Sequence, residues 1–132
     1  MITLKISQII NSTEVLRKLS GEKFKAKLSW AITRILKAAD NEIKEFNDTR
    51  YELIQKYGEK DENGNLITDD QGNVKINANG IADFNNQLNE LLDTTVEINA
   101  NKIKMSDLEN VDFTPYVMIV LEPYIDFEEE EE

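Results

Sequence analysis

A chain of 132 residues with 40% apolar residues suits one core, because single domains commonly hold about 100–200 residues. It has no cysteine and no histidine, which excludes disulfides, thiolate nucleophiles, zinc–thiolate sites and any mechanism turning on an imidazole. The net charge of −11 is uneven: residues 1–57 carry eleven Lys/Arg against seven Asp/Glu, and residues 58–132 four against nineteen. Halves so different suit different partners, or each other.

Carboxylate chemistry and oxygen-ligated metals stay open. No run approaches the roughly 18 uninterrupted apolar residues of a membrane span. The start, "MITLKISQII", lacks the charged head and apolar run of a secretory signal. A cytoplasmic protein without membrane contact is expected.

In chain order, "ITLKIS" alternates Ile2, Leu4 and Ile6 with Thr3, Lys5 and Ser7, the period of a half-buried strand. "NSTEVLRKLSG" reads as a short helix capped by Asn11 or Ser12 and closed at Gly21. From Glu22 to Tyr57, apolar residues from Phe24 through Leu28, Ile35 and Phe46 recur at helical intervals, and Gly58 is the first helix breaker. Such a helix would run roughly 50 Å. An apolar seam of that length predicts a homodimer along it.

"KYGEKDENGNLITDDQGNVKI" holds two acidic turns at a period of eight, with Asp61/Asp69, Gly64/Gly72 and Asn65/Asn73 in register. Counted from either aspartate, glycine arrives too early for a calcium-binding EF-hand loop. Asn-Gly and Gln-Gly turns predict a hairpin instead, pairing Leu66–Thr68 with Val74–Ile76. "NGIADFNNQLNELLDT" resumes helical spacing behind Asn79.

"LKISQI" (4–9) and "IKMSDL" (103–108) share one pattern, and each predicts a strand feeding a serine-capped turn, the two strands in one small sheet. "FTPYVMIVLEPYI" places Thr114 as cap and Pro115 at the first helical position. Val117–Leu121 is apolar on every face, so Met118 and Leu121 are candidate docking residues. The last seven residues, "DFEEEEE", hold six acids. They predict a disordered tail over 126–132 behind a single domain over 1–125.

The predicted fold is a mainly helical α+β protein, a long antiparallel helical hairpin tipped by a β-hairpin on two or three short strands. Trp30 is the most informative residue. It falls opposite the apolar stripe of the long helix, beside Lys23, Lys27, Arg34 and Lys37. An exposed tryptophan among cations marks an interface, whereas a covered one is core. Asp61, Asp69 and Asp70 form a second candidate surface, either a solvated face or a mimic of nucleic-acid phosphates. Nucleic-acid binding itself is not expected, because the overall acidity opposes it. No catalytic residue, metal or cofactor is predicted.

"KYGEKDENGN" and "IKMSDLENVDFTPYVMIVLEPYI" resemble segments of small acidic proteins encoded by phages and prophages of low-GC Gram-positive bacteria. The resemblance rests on Tyr57–Asp61, Ser106–Leu108 and Leu121–Ile125, and on the order of helix, hairpin, helix and final helix. It implies no chemistry. The expected function is a non-enzymatic phage-type binder of a host protein, acting as an inhibitor. A virion-assembly component or chaperone that binds a phage protein is the alternative. A ligand-binding dimer is the third.

Overall fold

The computed structural model describes residues 1–127 and is mainly helical, with short paired strands. By packing, the chain divides into two compact units: residues 1–43 with the chain from residue 95, and residues 44–94.

The first unit holds the hydrophobic core. β1 (Ile2–Lys5) pairs antiparallel with β2 (Thr95–Ile98), Ile2 opposite Ile98 and Leu4 opposite Val96. β3 (Ile103–Lys104) pairs in parallel with β4 (Ile125–Asp126). β1 and β3 therefore lie in separate sheets, not in the single sheet expected. Asp126 belongs to β4, so the expected tail cannot begin there. Its remaining glutamates, 128–132, lie outside the described residues.

The shared pattern around Lys5 and Lys104 does give one backbone. Both lysines are extended, with φ −79° and ψ near 150° (151° and 141°), and a helical turn starts after each. Lysine, not serine, occupies the cap position.

α1 (Ile6–Ser20) begins well before the expected Asn11 or Ser12. Gln8 Oε1 accepts from the Lys5 N–H at 2.8 Å and closes its first turn. Ser12 and Thr13 are interior, and their hydroxyls donate back to Ile9 O at 2.9 and 2.7 Å. Ser12 Oγ also meets the Tyr124 hydroxyl at 2.6 Å. Ile9, Leu16 and Leu19 bury against Ile32, Ile35 and Ala39 of α2 (Ala26–Tyr57) in one cluster. Arg17 and Asp40 add an exposed ion pair at 2.9 Å, worth at most about 1 kcal/mol.

α2 starts at Ala26, not Glu22. Phe24 leaves the helical path to stack edge-on against Phe113, 6.3 Å between centroids. α4 (Pro115–Leu121) starts as predicted, with Thr114 Oγ1 accepting from the Val117 N–H at 3.3 Å.

In the second unit, α2 ends before Gly58, whose N–H reaches Ile54 O at 2.7 Å. The expected pairing of 66–68 with 74–76 is present as a Thr68–Val74 bridge. It is one side of a triangle. Lys60 bridges Leu66 and Gly58 bridges Ile76, so each of three short segments pairs with both others. Glu59 N–H donates to Lys75 O at 2.8 Å, Lys75 N–H to Ile67 O at 2.9 Å, and Ile67 N–H to Glu59 O at 2.9 Å. The ring closes on itself.

A period of eight explains it, and the sequence carries three copies rather than two. Gly64, Gly72 and Gly80 each donate N–H to the carbonyl three residues back, all at 3.0 Å. Gly64 and Gly72 have φ of 81° and 82°, where other residues are strained. The third copy runs into α3 (Ile81–Leu92), so Gly80, not Asn79, stands at its cap position. Tyr57 binds α3 to the end of α2, edge-on to Phe84 at 6.2 Å and accepting from Gln87 Nε2 at 2.7 Å. No helix among the described residues is long and apolar enough to cross a membrane.

Candidate functional site

The start of α2 and the chain from Asn101 to Asp112 together shape two clefts in the first unit. Trp30 is 59% exposed on α2, so the core does not cover it. Arg34 extends along its ring, with Cζ 6.0 Å from the centroid, at the outer limit of a cation–π contact. The narrow cleft, about 260 Å³, is bounded by Lys27, Trp30 and Arg34 on α2 and by Lys102, Ile103 and Lys104 opposite.

The wider cleft, about 720 Å³, opens beside it over Phe24, Leu28 and Val111. Lys23 and Lys25 stand at its edge, on the link before α2 rather than on the helix itself. Lys27 and Asp107 border both clefts. They form an ion pair at 3.3 Å in which the Lys27 side chain is 74% exposed and that of Asp107 only 19%.

Four cations and one anion thus surround Trp30 in the narrow cleft. Lys27 and Asp107 line the wide cleft as well, whereas Trp30, Arg34, Lys102 and Lys104 line only the narrow one. The arrangement can hold an acidic segment by charge while the indole supplies apolar contact.

A family model described as "Protein of unknown function (DUF1617)" matches residues 1–123. The chain belongs to the DUF1617 family. No curated protein and no solved structure matches it. The DUF1617 match covers both clefts and the whole three-way ring.

Of the residues singled out in this DUF1617 sequence, Trp30, Lys27 and Arg34 come together in the narrow cleft, and Lys23 joins the wide one. Lys37 is exposed on α2 and lines neither. Lys102 and Lys104 were missed, although the alternation "KIK" signals them. Strand period turns buried Ile103 one way and both lysines the other.

Leu121 is 1% exposed, packed in the core, and cannot be a docking residue. Met118 is half-buried. The exposed apolar residues of α4 are Tyr116 and Ile119.

The acidic candidates have a structural use. Asp61 Oδ1 accepts from the Asn63 and Asn65 N–H groups at 2.8 and 3.0 Å, and Asp69 Oδ1 from Gln71 and Asn73 at 2.9 and 3.0 Å. Each carboxylate holds its own turn. Asp70 is exposed at the second tip. Among the described residues no three acidic groups could together hold a metal ion. Asp69→Ala should cost ~1 kcal/mol by freeing two backbone donors, whereas Asp69→Asn keeps the acceptor and should stay near wild type. Thermal melts of both variants distinguish this from a carboxylate needed for its charge.

Proposed function

We propose that this DUF1617 member is a non-enzymatic binding protein that holds an acidic surface of another protein in the Trp30 cleft and blocks it. The observation that carries the reading is Trp30, 59% exposed and ringed by cations from two separate parts of the chain. Solvated lysines alone would be ordinary, but a large exposed indole among them is what interface hot spots use. The phage-type part of the reading rests on the resemblance carried by Tyr57–Asp61, Ser106–Leu108 and Leu121–Ile125. With a phage-encoded origin, this reading takes a host protein as the partner and the host cytoplasm as the place of action.

Exposed Tyr116 and Ile119 support a second reading, a phage assembly factor docking through α4. A homodimer along α2 has less to support it. Leu53 and Ile54 are half-buried inside the second unit, where Tyr51 and Ile81 are the large exposed hydrophobics.

The test is affinity capture from uninfected and phage-infected lysates with wild type, Trp30→Ala and Ile119→Ser. Trp30→Ala should lose the host partner while its melting temperature stays put, since exposed truncations change stability by about 0.5 kcal/mol or less. Capture of phage proteins alone, lost with Ile119→Ser and kept with Trp30→Ala, would move the function to assembly.

A further inference from the structure

The Trp30 cleft lies within reach of an acidic segment of its own chain. Resting on the reading above, we infer that Glu128–Glu132 occupy this cleft until a partner displaces them, so that the chain competes with its own ligand. Two observations carry this: the charge left over in the cleft, and the place from which the segment starts.

In the cleft, Lys27 and Asp107 pair with each other at 3.3 Å and largely cancel. Arg34, Lys102 and Lys104 remain, and none of the three has an ion-pair partner among the described residues. Cations gathered around one cleft repel one another, and a run of carboxylates relieves that repulsion. Glu128–Glu132 is such a run.

The segment starts beside these cations. β4 pairs in parallel with β3, which sets Asp126 opposite Lys104. Phe127, the next residue, is 51% exposed and lines a hollow of about 640 Å³ together with Lys102. Lys102 also borders the Trp30 cleft, so hollow and cleft meet at one lysine. The hollow itself sets Glu122 and Asp126 against Lys102, so further glutamates gain nothing by staying there. Five extended residues reach roughly 17 Å, about three strand spacings. The tether selects the narrow cleft over the wide one, which shares no residue with the hollow.

A short tether gives an effective concentration of about a millimolar, enough for weak contacts to compete. Glutamates satisfy the cations but offer little apolar contact to Trp30. A partner therefore wins by bringing an apolar side chain to the indole as well as acids.

The chain has one tryptophan and no cysteine, so Glu132→Cys takes a nitroxide label at a single site, and contact quenching of Trp30 reads the docking directly. At low salt Trp30 should be quenched to the same degree at every protein concentration. Salt at about 1 M, or Lys102→Gln with Lys104→Gln, should restore its fluorescence. Pentaglutamate should then be titrated against the unlabelled full chain and against a full-length variant with all five residues 128–132 changed to glutamine. The glutamine variant should bind pentaglutamate about tenfold tighter, because its tethered competitor is gone.

No quenching in the labelled chain, or quenching that survives loss of both lysines, overturns the inference. Quenching that grows with protein concentration assigns the cleft to a second copy and overturns it too. Equal binding of pentaglutamate by both chains also overturns it, but leaves the cleft as a site for acids. If pentaglutamate binds neither chain, the reading of the cleft as an acid-binding surface falls as well.

Discussion

Gly58→Ala should unfold the three-way ring while leaving the core of the first unit intact. A Cβ at this position would sit 2.6 Å from Ile54 O and 2.7 Å from Leu66 Cδ2, with Val74 Cγ1 at 3.1 Å. Leu66 could yield, being the far end of a side chain. Ile54 O cannot, because it already accepts the Gly58 N–H that closes the last turn of α2. Overpacking of this kind costs about 1–3 kcal/mol.

The second unit has little to set against that. Over residues 44–94 only Phe46 and Gly58 are buried. Hydrogen exchange should show the amides of Glu59, Ile67 and Lys75 losing protection together, with those of Leu16 and Ile35 unchanged. Gly72→Ala is the comparison: it has open space but a φ of 82°, and should cost about 1–2 kcal/mol through backbone strain alone. Wild-type protection in Gly58→Ala would refute the close packing at the ring centre.

Tyr124→Ala should be the most damaging change in the first unit, at about 3–5 kcal/mol. The ring is fully buried and packs with α1 and α4 residues in the core cluster. Its hydroxyl meets Ser12 Oγ at 2.6 Å. Either hydroxyl can donate in this bond, and Ser12 Oγ also reaches Ile9 O at 2.9 Å. Tyr124→Phe removes only that bond and should cost ~1 kcal/mol.

The pair also predicts a pH response. Burial raises the Tyr124 pKa above its ordinary 10.0, and the Ser12 hydrogen bond offsets part of the rise. The unfolded chain then releases this proton before the folded one does. Stability from neutral Tyr124 is complete below pH 10 and falls as pH climbs toward the folded value. Denaturant melts from pH 8 to 11 should show a fall in wild type that is shallower in Tyr124→Phe. Parallel curves for the two proteins would mean that Tyr124 does not contribute to the alkaline loss.

Local chemistry was legible in the sequence, and distant chemistry was not. The Thr114 cap, Pro115, the exit of α2 at Gly58 and the turns at Gly64 and Gly72 are each decided within a few residues. The start of α1 is not: Ser12 reads as a cap, yet its hydroxyl is engaged inside the helix with Tyr124, 112 residues away. β3 reads as a strand without revealing that its partner is β4. Helical spacing put Trp30 on the face away from the apolar stripe, but could not say whether another element covers that face. The lysines facing it come from the far end of the chain. The third turn escaped because Asn77 stands where the first two copies have aspartate, although glycine recurs every eight residues at 64, 72 and 80.

The closed ring also limits how this region can change. An open sheet can lengthen by adding a strand to an unpaired edge, but here each segment already has both neighbours. A fourth eight-residue copy would find no unpaired partner among these three bridges and would have to break one of them to pair in the same ring. Substitution at the tips meets no such obstacle: Glu62, Asn63, Asp70 and Gln71 face solvent, and none of their side chains is needed to hold the turns. The ring is therefore a small platform whose fingertips can be rewritten freely while its frame, set by Gly58, Asp61 and Asp69, stays fixed.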